Sequence, residues 1–506
     1  MADDKSLRGQ YEKMVPKRDP YVTRARQLAS LTIPALFPEE GQDGFTTFHT
    51  PYQSVGAHGI NVMTSKLMNV LFPPQTMASF FRLKIDANVL KKIAQTEEQL
   101  GLAEEALSKA ERTILNKLEG SDIRPTLFEA LKLMLISNVL LRRMPTGKFK
   151  LFRMDKFVCK RGPTGELLMI ITKESVSLME INAETVQALG LGQDVDETLD
   201  TKDIFTRARR ERNGNWTITQ EIDGKLLPGS ITEPADRFSW LVLAPALLPG
   251  EDYSRCFVEE YIGDLVTLEA LEKALTQGAA ALAKLIFLVR PNATTSVNDL
   301  NAAESGAFVV GMPEDVAMLA LDKARDFTFV AARADHIERR LSFAFLLSSS
   351  VQRNAERVTA EEIRYMAQEL EQTMGGMYPT LATSIQKPLV RMQLAALQDA
   401  GVLPYLPEDL VDIQITTGVD GLGRQADLAK YDVLRDDMKQ FGPQGLEYLN
   451  LGEFFGRRCT NLGIDRVGLV RTEEEVQQAR QKNLMMQQQL ATAPIAAEAA
   501  LAPQGA

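Results

Sequence analysis

The residues best suited to chemistry in this chain form one short cluster: Gln352, Arg353, Asn354 and Arg357. Arginine and side-chain amides can both donate to phosphate oxygens, and such contacts hold a nucleic-acid backbone without reading its sequence. The same residues, with Glu356, could equally form a solvated turn, the usual fate of a mixed charge cluster. No enzyme signature competes with them. The chain has no GxxxxGK[ST], GxSxG or HExxH pattern, and Met144 to Lys148 (MPTGK) lacks the first glycine of a phosphate loop. His49, His58 and His336 are too scattered to suggest a metal site. Cys159, Cys256 and Cys459 lie far apart and form no CxxC pair, which points to a reducing compartment and against a disulfide framework or zinc. Gly421-Leu-Gly423-Arg-Gln-Ala426 fits the loose GxGxxA fingerprint of a dinucleotide site after a possible strand, IQITT. The chain then continues in helical pattern as DLAKYDVLRDDMKQF instead of giving the second strand and acidic residue that such a site needs. A nucleotide-binding enzyme built on the Gly421 turn is therefore the alternative reading, and no metal or cofactor is expected.

Two helices must position the cluster. Phe327, Val330, Ala334, Ile337, Leu341 and Phe345 recur at steps of three and four before it. After it, Thr359 and Glu362 make a capping box, and Ile363, Met366, Ala367, Leu370, Met374 and Met377 form a second stripe. The helix of about 325–347 spans roughly 33 Å at 1.5 Å per residue. On its surface Asp335 and Arg339 are spaced i, i+4, as are Glu338 and Ser342, so these charges could pair locally or with a neighbouring subunit. His336 lies beside the apolar stripe, where a structural or interface role is expected. A further stripe of Leu268, Leu271, Leu275, Ala279 and Leu282 predicts an earlier helix, with a small α/β insertion between the two.

The first third reads as helical. Asp19-Pro20 and Thr50-Pro51 each fit an N-cap followed by proline at the first helical position. Leu102, Ala106, Ile114 and Leu118 mark a charged helix within residues 88–120. Between about 148 and 240, short alternating runs (FKLFRM, NWTITQEI) broken by RGPTG, ERNGN and DGK predict strands and hairpins. The fold class is thus mainly α with a β-rich subdomain, α+β overall. With 506 residues, 45% hydrophobic and 25% charged, the chain is long enough for two or more cores and is globular. MADDKSLRGQYEK has no apolar signal-peptide core, no segment reaches the roughly 20 apolar residues of a bilayer span, and a soluble protein without membrane partners is expected. The formal net charge of −10 is unfavourable for gripping DNA.

Several stretches carry a family resemblance. They are DPYVTRARQLASLTIPALFP (19–38), TPYQSVGAHGINVMTSKLMNVLFPPQT (50–76), TLFEALKLMLISNVLL (126–141), VEEYIGDLVTLEALEKAL (258–275), LSFAFLLSSSVQRNAERVTAEEIRYMAQELEQ (341–372) and ITTGVDGLGRQADL (415–428). In these the chain closely resembles the portal, or head-to-tail connector, proteins of short-tailed phages of the autographivirus type. The match is weaker over 180–230 and after residue 490.

The resemblance implies a portal fold assembled as a ring, typically of twelve subunits. Its layout would be an N-terminal wing over 1–257, a stem helix over 258–284, a clip over 285–324 and a second stem helix over 325–347. A tunnel loop would follow over 348–358, then a long helix and wing return over 359–423, a helical crown over 424–490 and a disordered tail over 491–506. By the same resemblance Gln352, Arg353, Asn354 and Arg357 would face a DNA channel, and Asp335, Glu338 and Arg339 would lie on the stem at subunit contacts. The implied function is structural, not enzymatic: a capsid-vertex channel for packaging and ejecting double-stranded DNA, and an initiator of capsid assembly. Implied partners are the terminase large subunit, a tail adaptor, the major capsid and scaffolding proteins and internal core proteins. The implied location is the virion, after assembly in the host cytoplasm. On this reading the acidic balance is a surface past which DNA slides without sticking.

Overall fold

The computed structural model describes residues 6–347 apart from 40, 43–44, 74–79, 86–96, 121–122, 182–185, 187–200, 283–286, 292–294 and 319–323. It also describes 360–404 apart from 376–379, then 411–415, 432–437 and scattered positions from 452 to 485. Two compact units emerge. One comprises Met1–Asn69, Ser121–Arg357 and Glu369–Met392, the other Val70–Gly120, Val358–Gln368 and Gln393–Ala506. The secondary structure is mixed α and β.

The first unit opens with helix α1 (Leu7–Leu31). Ser6 caps it by accepting from the Gly9 N–H at 3.0 Å. The buried carboxylate of Glu221 accepts from the Leu7 and Arg8 N–H groups, placing negative charge at the positive end of the helix dipole. Asp19-Pro20 does not begin a helix: α1 runs through both Pro16 and Pro20. Leu7 and Tyr11 pack with Val158, Ile171 and Phe205 of the adjoining sheet, and this tertiary burial carries the helix across the N–H groups its prolines lack. The next helix, α2 (Val55–Leu71), likewise starts four residues beyond Pro51. Its cap is Gln53, which accepts from the Gly56 N–H at 2.8 Å and donates to the Leu31 carbonyl at the end of α1.

The region read as β-rich holds two antiparallel sheets. Strands β2 (Val139–Arg143), β3 (Phe149–Arg153) and β10 (Trp240–Leu243) form the smaller one, with β2 central. The larger runs β4 (Phe157–Arg161), β5 (Leu167–Ser177), β6 (Thr201–Arg210), β7 (Trp216–Ile222) and β8 (Lys225–Leu226), with β9 (Ile231–Glu233) also on β7. The turn signals do their expected work. Asp223 and Gly224 both have positive φ (47° and 76°) in the two-residue connection from β7 to β8, as a primed hairpin turn requires.

Helices α5 (Ile262–Leu282) and α7 (Ala324–Ala344) follow in the same unit. Between them lie β11 (Phe287–Val289), paired antiparallel with β12 (Val316–Met318), and the short helix α6 (Val297–Ala302). The second unit contains β1 (Phe81–Ile85) paired antiparallel with β13 (Val411–Ile415), and α3 (Glu97–Glu119). Among the described side chains of α3 the buried apolar positions are Leu107, Ala110, Ile114 and Leu118, so Leu107 and not Ala106 holds the core step. The remaining helices are α4 (Ile123–Met134), α8 (Ala360–Met374) and α9 (Lys387–Asp399).

Two predictions follow from this packing. A β-carbon on Gly59 of α2 would lie 2.6 Å from the buried Phe345 ring, so Gly59→Ala should destabilise the fold by about 1–3 kcal/mol, read as a lowered midpoint in chemical denaturation. Burial raises the thiols of Cys159 and Cys256 to about 12, so little nucleophilic thiolate forms at ordinary pH. Both should resist a thiol reagent at pH 8 in the native chain and react once guanidinium unfolds it; rapid native labelling of either would contradict this packing.

Candidate functional site

The paired helices α5 and α7 form the scaffold on which the predicted site residues can be placed. They run antiparallel, since Asp264 near the start of α5 pairs with Arg340 near the end of α7, while Gly278 near the end of α5 meets Phe327 near the start of α7. A β-carbon at Gly278 would fall 2.2 Å from the Phe327 ring, so glycine is what lets the helices approach there. Leu265 and Leu268 of α5 and Ala334, Ile337 and Leu341 of α7 are buried. The α5 stripe read from sequence holds only in part. Leu271 and Leu275 are half-buried and Ala279 is exposed.

The far end of α7 is tightly held. Phe345 packs its ring edge-to-face against Phe257 (centroids 6.2 Å apart) and tilted against Tyr261 (5.8 Å). Leu346 has φ 57°, and the Leu346 and Leu347 N–H groups donate to Phe343 O and Ser342 O at 3.1 and 2.8 Å. This is a Schellman closure built on leucine where glycine is usual. The buried ammonium of Lys66 on α2 donates to the Leu346 carbonyl at 3.0 Å and to Glu369 of α8 at 2.8 Å. Lys66 therefore ties together the chain on both sides of residues 348–359. Sequence reading missed it, because a lysine 280 residues from Leu346 carries no local signal.

Asp335, Glu338 and Arg339 are exposed on α7, and none has an ion-pair or hydrogen-bond partner among the described residues. The i, i+4 pair between Asp335 and Arg339 does not form. Glu272, Lys273 and Arg333 are also unpaired. Burial, followed by the carboxylates of Glu338, Asp335 and Glu269, raises the Glu272 carboxyl above its ordinary value. His336 is exposed. Gln352, Arg353, Asn354, Arg357 and the Thr359 cap lie outside the described residues, as do Gly421 and Gly423. Strand β13, which precedes that glycine turn, has only β1 as a partner among the described residues, and the pairing is antiparallel. A dinucleotide site needs a parallel neighbour.

The excursion between the helices presents apolar side chains. Phe308, Val310 and Met312 alternate outward, with Leu288 and Val297 also exposed. Its base is fixed by Thr295, which donates to the buried Asp315 carboxylate at 3.0 Å and accepts from the Met312 N–H at 3.1 Å. Among the described residues no group of three or more His, Cys, Asp or Glu could hold a metal, and no helix is long and apolar enough to cross a membrane.

Comparison with known proteins accounts for an arrangement of this kind. Residues 4–469 match the family model described as bacteriophage head to tail connecting protein. The chain is 38% identical to the portal protein of Escherichia phage T7 over 480 residues, covering 92% of this chain and 88% of that one. It is 37% identical to the portal protein of Enterobacteria phage T3 over 478 residues, covering 92% and 88%. It is 31% identical to that of Enterobacteria phage SP6 over 423 residues, covering 83% and 80%. The chain thus belongs to the bacteriophage head-to-tail connecting proteins, the portal family of short-tailed phages.

Proposed function

We propose that this chain assembles into a ring at one capsid vertex and forms the channel through which double-stranded DNA is packaged and later ejected. The observation that carries this reading is family membership over nearly the whole chain, with portal relatives matched along most of their own length. Helices α5 and α7 act as the stem, the excursion between them as the clip, residues 348–358 as the tunnel loop and the region after about 424 as the crown. The clip's alternating apolar side chains suit a docking face for the terminase and then the tail adaptor, because exposed apolar patches on soluble proteins mark interaction sites. The major capsid and scaffolding proteins and internal core proteins are further partners. The working location is the virion, after assembly in the host cytoplasm. Asp335, Glu338 and Arg339 make stem contacts between subunits.

Ring formation is directly measurable. About twelve copies of a 56.1 kDa chain give a particle of about 670 kDa, and mass photometry should resolve it. Only monomers or dimers over a wide concentration range would sink the proposal.

Gln352, Arg353, Asn354 and Arg357 form a basic, amide-bearing collar around DNA in an otherwise acidic protein. Phosphate contacts of this type are non-specific and weaken with salt. Arg353→Ala with Arg357→Ala should leave ring mass unchanged and reduce DNA packaged or retained in filled heads. Full-length packaging and normal retention by the double variant would remove the collar's role.

A further inference from the structure

The charges on the paired helices are sorted by flank. Asp335 and Glu338, three residues apart, lie within about 60° of one another on one flank of α7, and after burial they act with Glu269 to raise the carboxyl of Glu272 on the antiparallel α5. Glu269 is engaged there, accepting from the Tyr52 and Gln53 N–H groups at 3.1 and 3.2 Å. Glu272, Asp335 and Glu338 have no cation among the described residues. Lys273 and Arg339 are exposed nearby and pair with none of them. On α7, Arg333 stands about 200° round the helix from Asp335 and about 140° from Glu338, at about 100° per residue. Arg333 is exposed and unpaired. Among the described side chains, the other charges on its flank, Arg340 and Asp264, already neutralise one another.

One protomer therefore offers an acidic flank and, on the opposite side of the same helix pair, a free arginine. A surface that is acidic on one side and basic on the other cannot satisfy itself within the chain, but it is satisfied by a copy placed side by side in the same orientation. That is a heterologous contact, which closes into a ring when its rotation permits. Glu272 holds its charge at a disadvantage, through burial first and then the neighbouring carboxylates, and an incoming guanidinium relieves it.

We propose that Arg333 of one protomer docks against the acidic flank formed by Glu272, Asp335 and Glu338 of the next, so that a second copy of this chain is the partner of that flank. This inference rests on the ring proposed above and names its electrostatic contact and its direction. Lone exposed ion pairs contribute little, but the contact repeats at every interface of a closed ring, and reversing one charge sets like charges together at all of them.

The test is a charge swap in the full-length chain, with mass photometry across a concentration series and thermal unfolding to check that each variant folds. Glu338→Arg and Arg333→Glu should each raise the concentration needed for ring assembly by about tenfold or more. The double variant on one chain should recover most of that loss, because each reversed residue meets the other across the interface. Raising salt should weaken the unaltered ring and shrink the difference between variants. A folded double variant no better than the worse single one overturns the contact, as does a ring that forms equally well with either reversal. An unaltered chain that never forms a ring overturns the ring proposal itself, and this contact with it.

Discussion

Everything around the paired helices depends on how α7 is made to stop. The helix ends in a left-handed leucine, Leu346, a conformation that disfavours side chains with a β-carbon by about 1 kcal/mol or more. Four contacts hold it there. Phe345 is wedged onto the bare backbone of Gly59 and against Phe257 and Tyr261, and Lys66 grips the Leu346 carbonyl. The buried ammonium is itself tolerated because Glu369 neutralises it. Helices α2, α7 and α8 and the turn before α5 are thereby joined at one point, which fixes where the chain leaves α7 and where it resumes.

The charge distribution shows a second economy. Three ion pairs join residues far apart in the chain, Arg24 with Glu259, Lys66 with Glu369 and Arg340 with Asp264, and the first two are partly shielded. By contrast Glu272, Arg333, Asp335, Glu338 and Arg339 have no ion-pair partner among the described residues, even where helix spacing offers one, as between Asp335 and Arg339. An isolated helix would gain only a few tenths of a kcal/mol from that local pair. Leaving the residues free loses little in the protomer and keeps them available for another surface. The exposed Phe308, Val310 and Met312 follow the same logic with apolar groups, held outward on an excursion whose base is locked by Thr295 and Asp315.

Much of the architecture was legible before any coordinates. Strand and hairpin punctuation around RGPTG, ERNGN and DGK located the β region, since a turn with positive φ needs Gly or Asp nearby and the chain supplies them. Of the α7 stripe, Ala334, Ile337, Leu341 and Phe345 are buried, while Phe327 and Val330 are half-buried. Proline misled at both Pro20 and Pro51. A local rule places proline at a helix start, but the contacts of Leu7 and Tyr11 with the sheet extend α1 past it, and the Gln53 side chain sets the start of α2. The family motifs were legible too, because they lie in contiguous runs.

By itself, the sequence determined what is encoded over a few residues: helical and strand periods, turn chemistry, the absence of catalytic signatures and the motifs that mark the portal family. Tertiary structure alone decided what depends on residues far apart in the chain meeting in space. Only packing revealed that Glu221 caps α1, that Lys66 secures the end of α7, that Gly59 and Gly278 are sites of close approach, and that Arg340 finds Asp264 while Asp335 and Arg339 stay apart. The physical reason is range: periodicity and turn preference act within a few residues, whereas burial and electrostatics act through space and depend on the whole fold.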